Sequence, residues 1–146
     1  MRRAGGPGPC YPRQAVAAPE VSLAIDDAAL RRGFPELQLL VLHGSRARGQ
    51  AHERSDWDFA YLAEDGLDLP GLILELSRLT DSDRVDVADL SRSSGLLRHQ
   101  VASDGKLLFE RSPRAFERFV IESTRFWLDV APVIRESQEA VLRGLG

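Results

Sequence analysis

The residues of this chain best suited to act together chemically fall within one short stretch. Gly44-Ser45 is followed, after ten intervening residues, by Asp56-Trp57-Asp58. Each residue type has a physical use. A Gly-Ser pair where a strand passes into a helical turn exposes backbone amides and a hydroxyl to phosphate oxygens. Glycine suits that place because a side chain would keep the phosphate from the backbone. Aspartates at i and i+2 of a strand project to the same side, so Asp56 and Asp58 can reach one pair of hard cations. Two such ions, about 3.5–4 Å apart, stabilise both the attacking and the leaving oxygen of an in-line displacement. Asp86 supplies a third carboxylate if its strand lies beside that of Asp58. Its neighbours Val85 and Val87 are buried by pattern, so Asp86 emerges on the opposite face. An acid there can ligate a metal and help take the proton from an incoming hydroxyl.

The elements that must position these residues are legible around them. Leu23, Ile25, Ala28, Ala29 and Leu30 suggest a short helix closed by Gly33 and Pro35. Leu37 to His43 is a continuous apolar run, the pattern of a strand covered on both faces. A second strand reads from Asp56 to Leu62, with Trp57, Phe59 and Tyr61 on one face and Asp56, Asp58, Ala60 and Leu62 on the other. Pro70 opens a helix to about Leu79. A third strand covers Arg84 to Leu90, a helix Leu96 to Ser103, and a short edge strand Lys106 to Phe109. Pro113 starts a long amphipathic helix whose apolar side holds Phe116, Phe119, Val120, Phe126, Trp127 and Val130. Pro132 should kink that helix or divide it.

Composition narrows the function classes. The 146 residues are 43% hydrophobic and 28% charged, the balance of one ordinary globular domain. A net charge of −3 argues against nonspecific binding to nucleic acid, so no nucleic acid is expected as a direct ligand. Cys10 is the single cysteine, which excludes an intramolecular disulfide and a thiolate metal cluster. No apolar run approaches a membrane span and no signal region follows Arg2 and Arg3, so the cytoplasm is the expected compartment. Residues 1–19, with four prolines, three glycines and no apolar period, read as a flexible tail, and residues 20–146 as the folded domain. His43 ends a buried strand and reads as structural, while His52 and His99 lack the partner spacing of metal ligands. Phe126 and Trp127 read as core.

The segment Gly44 to Asp58 resembles the signature of the DNA polymerase beta-type nucleotidyltransferases: Gly-Ser, ten residues, Asp-x-Asp. The form GSRARG…SDWDFAYL followed by VDVADL is similar to the smallest of these, the minimal nucleotidyltransferase (MNT) proteins. The resemblance spans roughly residues 22 to 145 and is strongest over 41 to 62. It implies an α+β nucleotidyltransferase fold, a mixed sheet with flanking helices and a C-terminal helix. It also implies Mg²⁺, two ions at the site, and ATP as donor. Gly44 and Ser45 would hold the triphosphate, Asp56, Asp58 and Asp86 the metals, and Arg48, the arginine of the Ala-Arg-Gly segment, would lie near the phosphates. Arg46 falls at a variable position and receives no role. The preferred function is that of an antitoxin adding AMP to a tyrosine of a HEPN-type toxin. Two alternatives stand beside it: an adenylyltransferase acting on a small molecule such as an aminoglycoside, and an antitoxin that only binds. Arg92 with His99 and Arg46 with His52 both match the loose Arg-x(4–6)-His pattern of HEPN ribonucleases, and a pattern that hits twice here carries no information.

Overall fold

The apolar run at Leu37–His43 forms strand β1, the inner member of a four-stranded sheet seen in a computed structural model that describes residues 23–145. The flexible tail expected at residues 1–19 lies outside the described residues. The remaining strands are β2 (Trp57–Ala63), β3 (Val85–Asp89) and β4 (Lys106–Glu110), in the order β3-β2-β1-β4. β1 pairs antiparallel with β2 and β4, while β2 and β3 run parallel. The expected mixed sheet is therefore present, with β4 at an edge. The second strand starts one residue later than expected, which leaves Asp56 just outside the ladder. A bulge between Leu37 and Leu39 sets two β1 residues against one on β2. It turns Leu37, Leu40 and Leu42 to one face and Leu39 and Val41 to the other.

Helices cover both faces. The first helix, α1 (Asp27–Gly33), starts later than the apolar pattern suggests, because the Asp26 carboxylate caps it by accepting from the Ala29 amide at 3.1 Å. Leu23 and Ile25 precede it and still pack on the core. α2 (Gly44–Ala47) is the single turn after β1. α3 (Leu69–Thr80) is capped by Asp68, with Pro70 in its first turn. On one face, α1 and α3 bury Leu30, Leu72 and Leu76 against Leu37, Leu40, Leu42, Phe59, Tyr61 and Phe109. On the other, α4 (Gly95–Asp104) and α5 (Ala115–Leu145) bring Val101 and Phe119 against Leu39, Val41 and Ala60.

Of the two outcomes expected at Pro132, division does not occur: α5 runs unbroken through it. Every residue from Pro132 to Gly144 is exposed, so the carbonyl that loses its helical donor is met by water and the helix continues. Phe126 is not core: it is 52% exposed, because at this point α5 crosses only α4. Its ring fills the space above Gly95, where a Cβ would sit 2.6 Å from a ring carbon. Trp127 is half-buried and stacks on His99 with centroids 5.2 Å apart. No helix among the described residues is long and apolar enough to cross a membrane.

Candidate active site

The C-terminal end of β1 and the N-terminal ends of β2 and β3 meet at one rim of the sheet. There His43 pairs with Asp58 across the antiparallel ladder, and Asp58 pairs with Asp86 across the parallel one. Residues paired in register point to the same face, so the two carboxylates stand side by side on adjacent strands. Val85 and Val87 pack into the core on the opposite face, the disposition their alternation predicts. Asp56, exposed, precedes the ladder by one residue.

Gly44 follows at the turn out of β1 with φ +76°, a conformation glycine adopts without penalty. A Cβ there would overlap the Asp58 carboxylate. Glycine thus serves the turn and the carboxylate's space together. Ser45 is half-buried, and its carbonyl accepts from the Gln50 amide at 2.9 Å. Arg48 is exposed; its Nε donates to the Gln50 side chain at 3.1 Å and its Nη1 lies 3.9 Å from an Asp104 carboxylate oxygen.

Electrostatics single out Asp58. Burial pushes its carboxyl above the ordinary value; the nearby His43 pulls it back, the Asp86 and Asp56 charges push it further up, and Arg48 lowers it slightly. His43, Asp86, Asp56 and Arg48 thus all lie near enough to act on the Asp58 carboxyl. Among the described residues, the carboxylates of Asp56, Asp58 and Asp86 have no hydrogen-bond or ion-pair partner. The trio does not form a closed ligand set: no group of three or more His, Cys, Asp or Glu among the described residues is arranged to hold an ion. Their chemistry suits a hard divalent cation, because all are oxygen donors and, among the described residues, none is tied up in an ion pair.

His43, which the sequence pattern reads as structural, is the cross-strand partner of Asp58. Arg46, to which the sequence gives no role, has its guanidinium 4.1 Å from the centre of the Trp57 ring and binds the carbonyl of Ser55.

The model of the family "Polymerase beta, Nucleotidyltransferase" matches residues 28–114, more than half of the chain. The chain belongs to this family. Among curated proteins, the protein adenylyltransferase MntA of Aphanizomenon flos-aquae is 37% identical over 99 residues, 59% of this chain and 65% of that protein. MntA of Shewanella oneidensis is 43% identical over 83 residues, 55% of this chain and 59% of that protein. The matched region thus spans about three-fifths of these curated nucleotidyltransferases. Solved structures extend the likeness. A toxin–antitoxin with AMP-PNP superposes with a TM-score of 0.64 at 33% identity, over 79% of this chain and 94% of that one. The complex of tri-AMPylated Shewanella oneidensis HEPN toxin with MNT antitoxin gives 0.58 at 30%, over 79% and 91%.

Proposed function

We propose that this nucleotidyltransferase is the antitoxin of a toxin–antitoxin pair and transfers AMP from ATP to a tyrosine hydroxyl of a HEPN-type toxin, with Mg²⁺ at its carboxylates. The observation that carries the reading is the in-register pair Asp58–Asp86 beside the Gly44-Ser45 turn. That arrangement sets acidic oxygens directly against the backbone turn that follows β1. The relatives support the choice of donor and acceptor, since one structure contains AMP-PNP and another an AMPylated HEPN toxin. An ATP-consuming reaction also suits a cytoplasmic place of action.

In the proposed reaction the acceptor oxygen forms a bond to the α-phosphorus while the bond from that phosphorus to the α,β-bridging oxygen breaks, and pyrophosphate leaves. Gly44 and Ser45 hold the triphosphate through amides and hydroxyl, and Arg48 adds a guanidinium to a phosphate oxygen. Asp56, Asp58 and Asp86 would hold two Mg²⁺ ions, which supply charge stabilisation for the entering and leaving oxygens. Asp86, on the outer strand β3, takes the acceptor's proton. The deciding experiment incubates the chain and its co-purified partner with labelled ATP. Label on a partner tyrosine is the expected result. Label on an aminoglycoside, or partner binding with no transfer, would replace this reading by one of the two alternatives.

A further inference from the structure

We propose that Arg46 is a positioning residue: it fixes Asp56 by gripping the chain on both sides of it, and this rests on the metal-dependent reading of the site. Asp56 needs such help. It lies outside the β2 ladder, is exposed, and directly follows the ten-residue excursion that begins at Arg46. Immediately before it, the Ser55 carbonyl accepts from Arg46 Nε at 3.2 Å and from Nη2 at 2.8 Å. The same Nη2 reaches the carbonyls of His52 at 3.3 Å and Glu53 at 3.5 Å. Immediately after Asp56, the Trp57 ring lies under the guanidinium, 4.1 Å from its carbon.

One side chain therefore collects three carbonyls of the excursion and the aromatic face that follows it. Its own backbone belongs to α2, directly after Ser45. The grip thus joins the phosphate-binding half of the site to its carboxylate half. Arg84 adds a second hold from the other side, donating to the Arg54 carbonyl at 2.7 Å. Lysine could not replace Arg46, because a point donor lacks both the fork that meets one carbonyl twice and the planar face that stacks on indole. Arg48 is turned elsewhere, to Gln50 and Asp104.

The sign of an effect on metal affinity separates positioning from charge. Deleting a cation that acts only through its field near the carboxylates strengthens their hold on Mn²⁺. Deleting one that aims Asp56 weakens it. The test titrates the full chain with Mn²⁺ alone, following free ion by its paramagnetic resonance signal, for the natural chain, Arg46→Lys, Arg46→Ala and the charge control Arg54→Ala. Backbone amide exchange over residues 52–57 is measured on the same samples. Both Arg46 variants should bind Mn²⁺ roughly tenfold or more weakly, the range seen when an outer partner of a metal ligand is lost. Their amides at 52–57 should exchange faster, while Arg54→Ala binds as tightly as the natural chain or tighter. Unchanged or tighter Mn²⁺ binding by Arg46→Lys would overturn the proposal, as would exchange at 52–57 equal to that of the natural chain. A natural chain that takes up no Mn²⁺ would instead sink the metal reading beneath it.

Discussion

Asp58 occupies the point where burial, two like charges and a glycine turn converge, so its charge is costly whenever no cation is bound. Its folded-state pKa is raised above the unfolded value, so the folded chain binds the proton more readily over that interval. Stability therefore falls as pH rises from the ordinary carboxylate range through the raised value, and the cost remains in full above it. Asp58→Asn removes this cost. In metal-free buffer at neutral pH it should melt no lower than the natural chain, with a flatter dependence on acid pH, by calorimetry at several pH values. A clear loss of melting temperature would mean that the ionised carboxylate holds the fold together. Asp86 separates binding from chemistry. Asp86→Asn should keep affinity for ATP with Mg²⁺ within a few-fold but lose transfer by roughly 10²-fold or more, in single-turnover and nucleotide-binding measurements. Asp83, which lies before β3, is the control, and loss of transfer in Asp83→Asn with Asp86→Asn active would reassign the third carboxylate.

The long helix α5 shows how an element can differ along its length. Its first turns press Phe119 into the core, at 2% exposure, whereas residues 132–144 all meet solvent. Proline within a helix costs about 3 kcal/mol relative to alanine. In a segment with few tertiary contacts, that cost appears as local fraying rather than global instability. Pro132→Ala should slow amide exchange over residues 128–144 and move the domain's melting temperature by no more than a few degrees. Leu72→Ala, in a fully buried position on α3, should behave oppositely, costing about 2–5 kcal/mol in denaturant unfolding.

For the molecule as a whole, the site joins β1, β2, β3 and α2, so a ligand bound there ties together parts distant in sequence. A ligand that binds only the folded state adds about 2.7 kcal/mol at a hundredfold excess over Kd. For a chain of this length that is a rise of roughly 5–10 °C. Mg²⁺ with ATP should produce such a rise, and Asp58→Asn should largely lose it. An equal rise in the variant would place nucleotide and metal somewhere other than these carboxylates.

The sequence by itself determined what is local. Leu37–His43 declared a strand because burial on both faces leaves an unbroken apolar run. The faces of β2 and β3 followed from the period of two, which put Asp58 and Asp86 opposite their buried neighbours. Gly-Ser and Asp-x-Asp at a set spacing point to phosphate and metal chemistry by residue type alone. Only the tertiary structure decided which residues stand next to one another. The registers that set His43 and Asp86 on either side of Asp58 depend on strand pairing between segments far apart, which no local pattern encodes. The bulge that reverses the facing of Leu37 was invisible for the same reason, and so was the exposure of Phe126, set by where α5 crosses α4. Arg46 shows the limit most plainly. Its partners are backbone carbonyls, and any residue type can present a carbonyl, so the grip on Ser55 left no mark in the residue types around it.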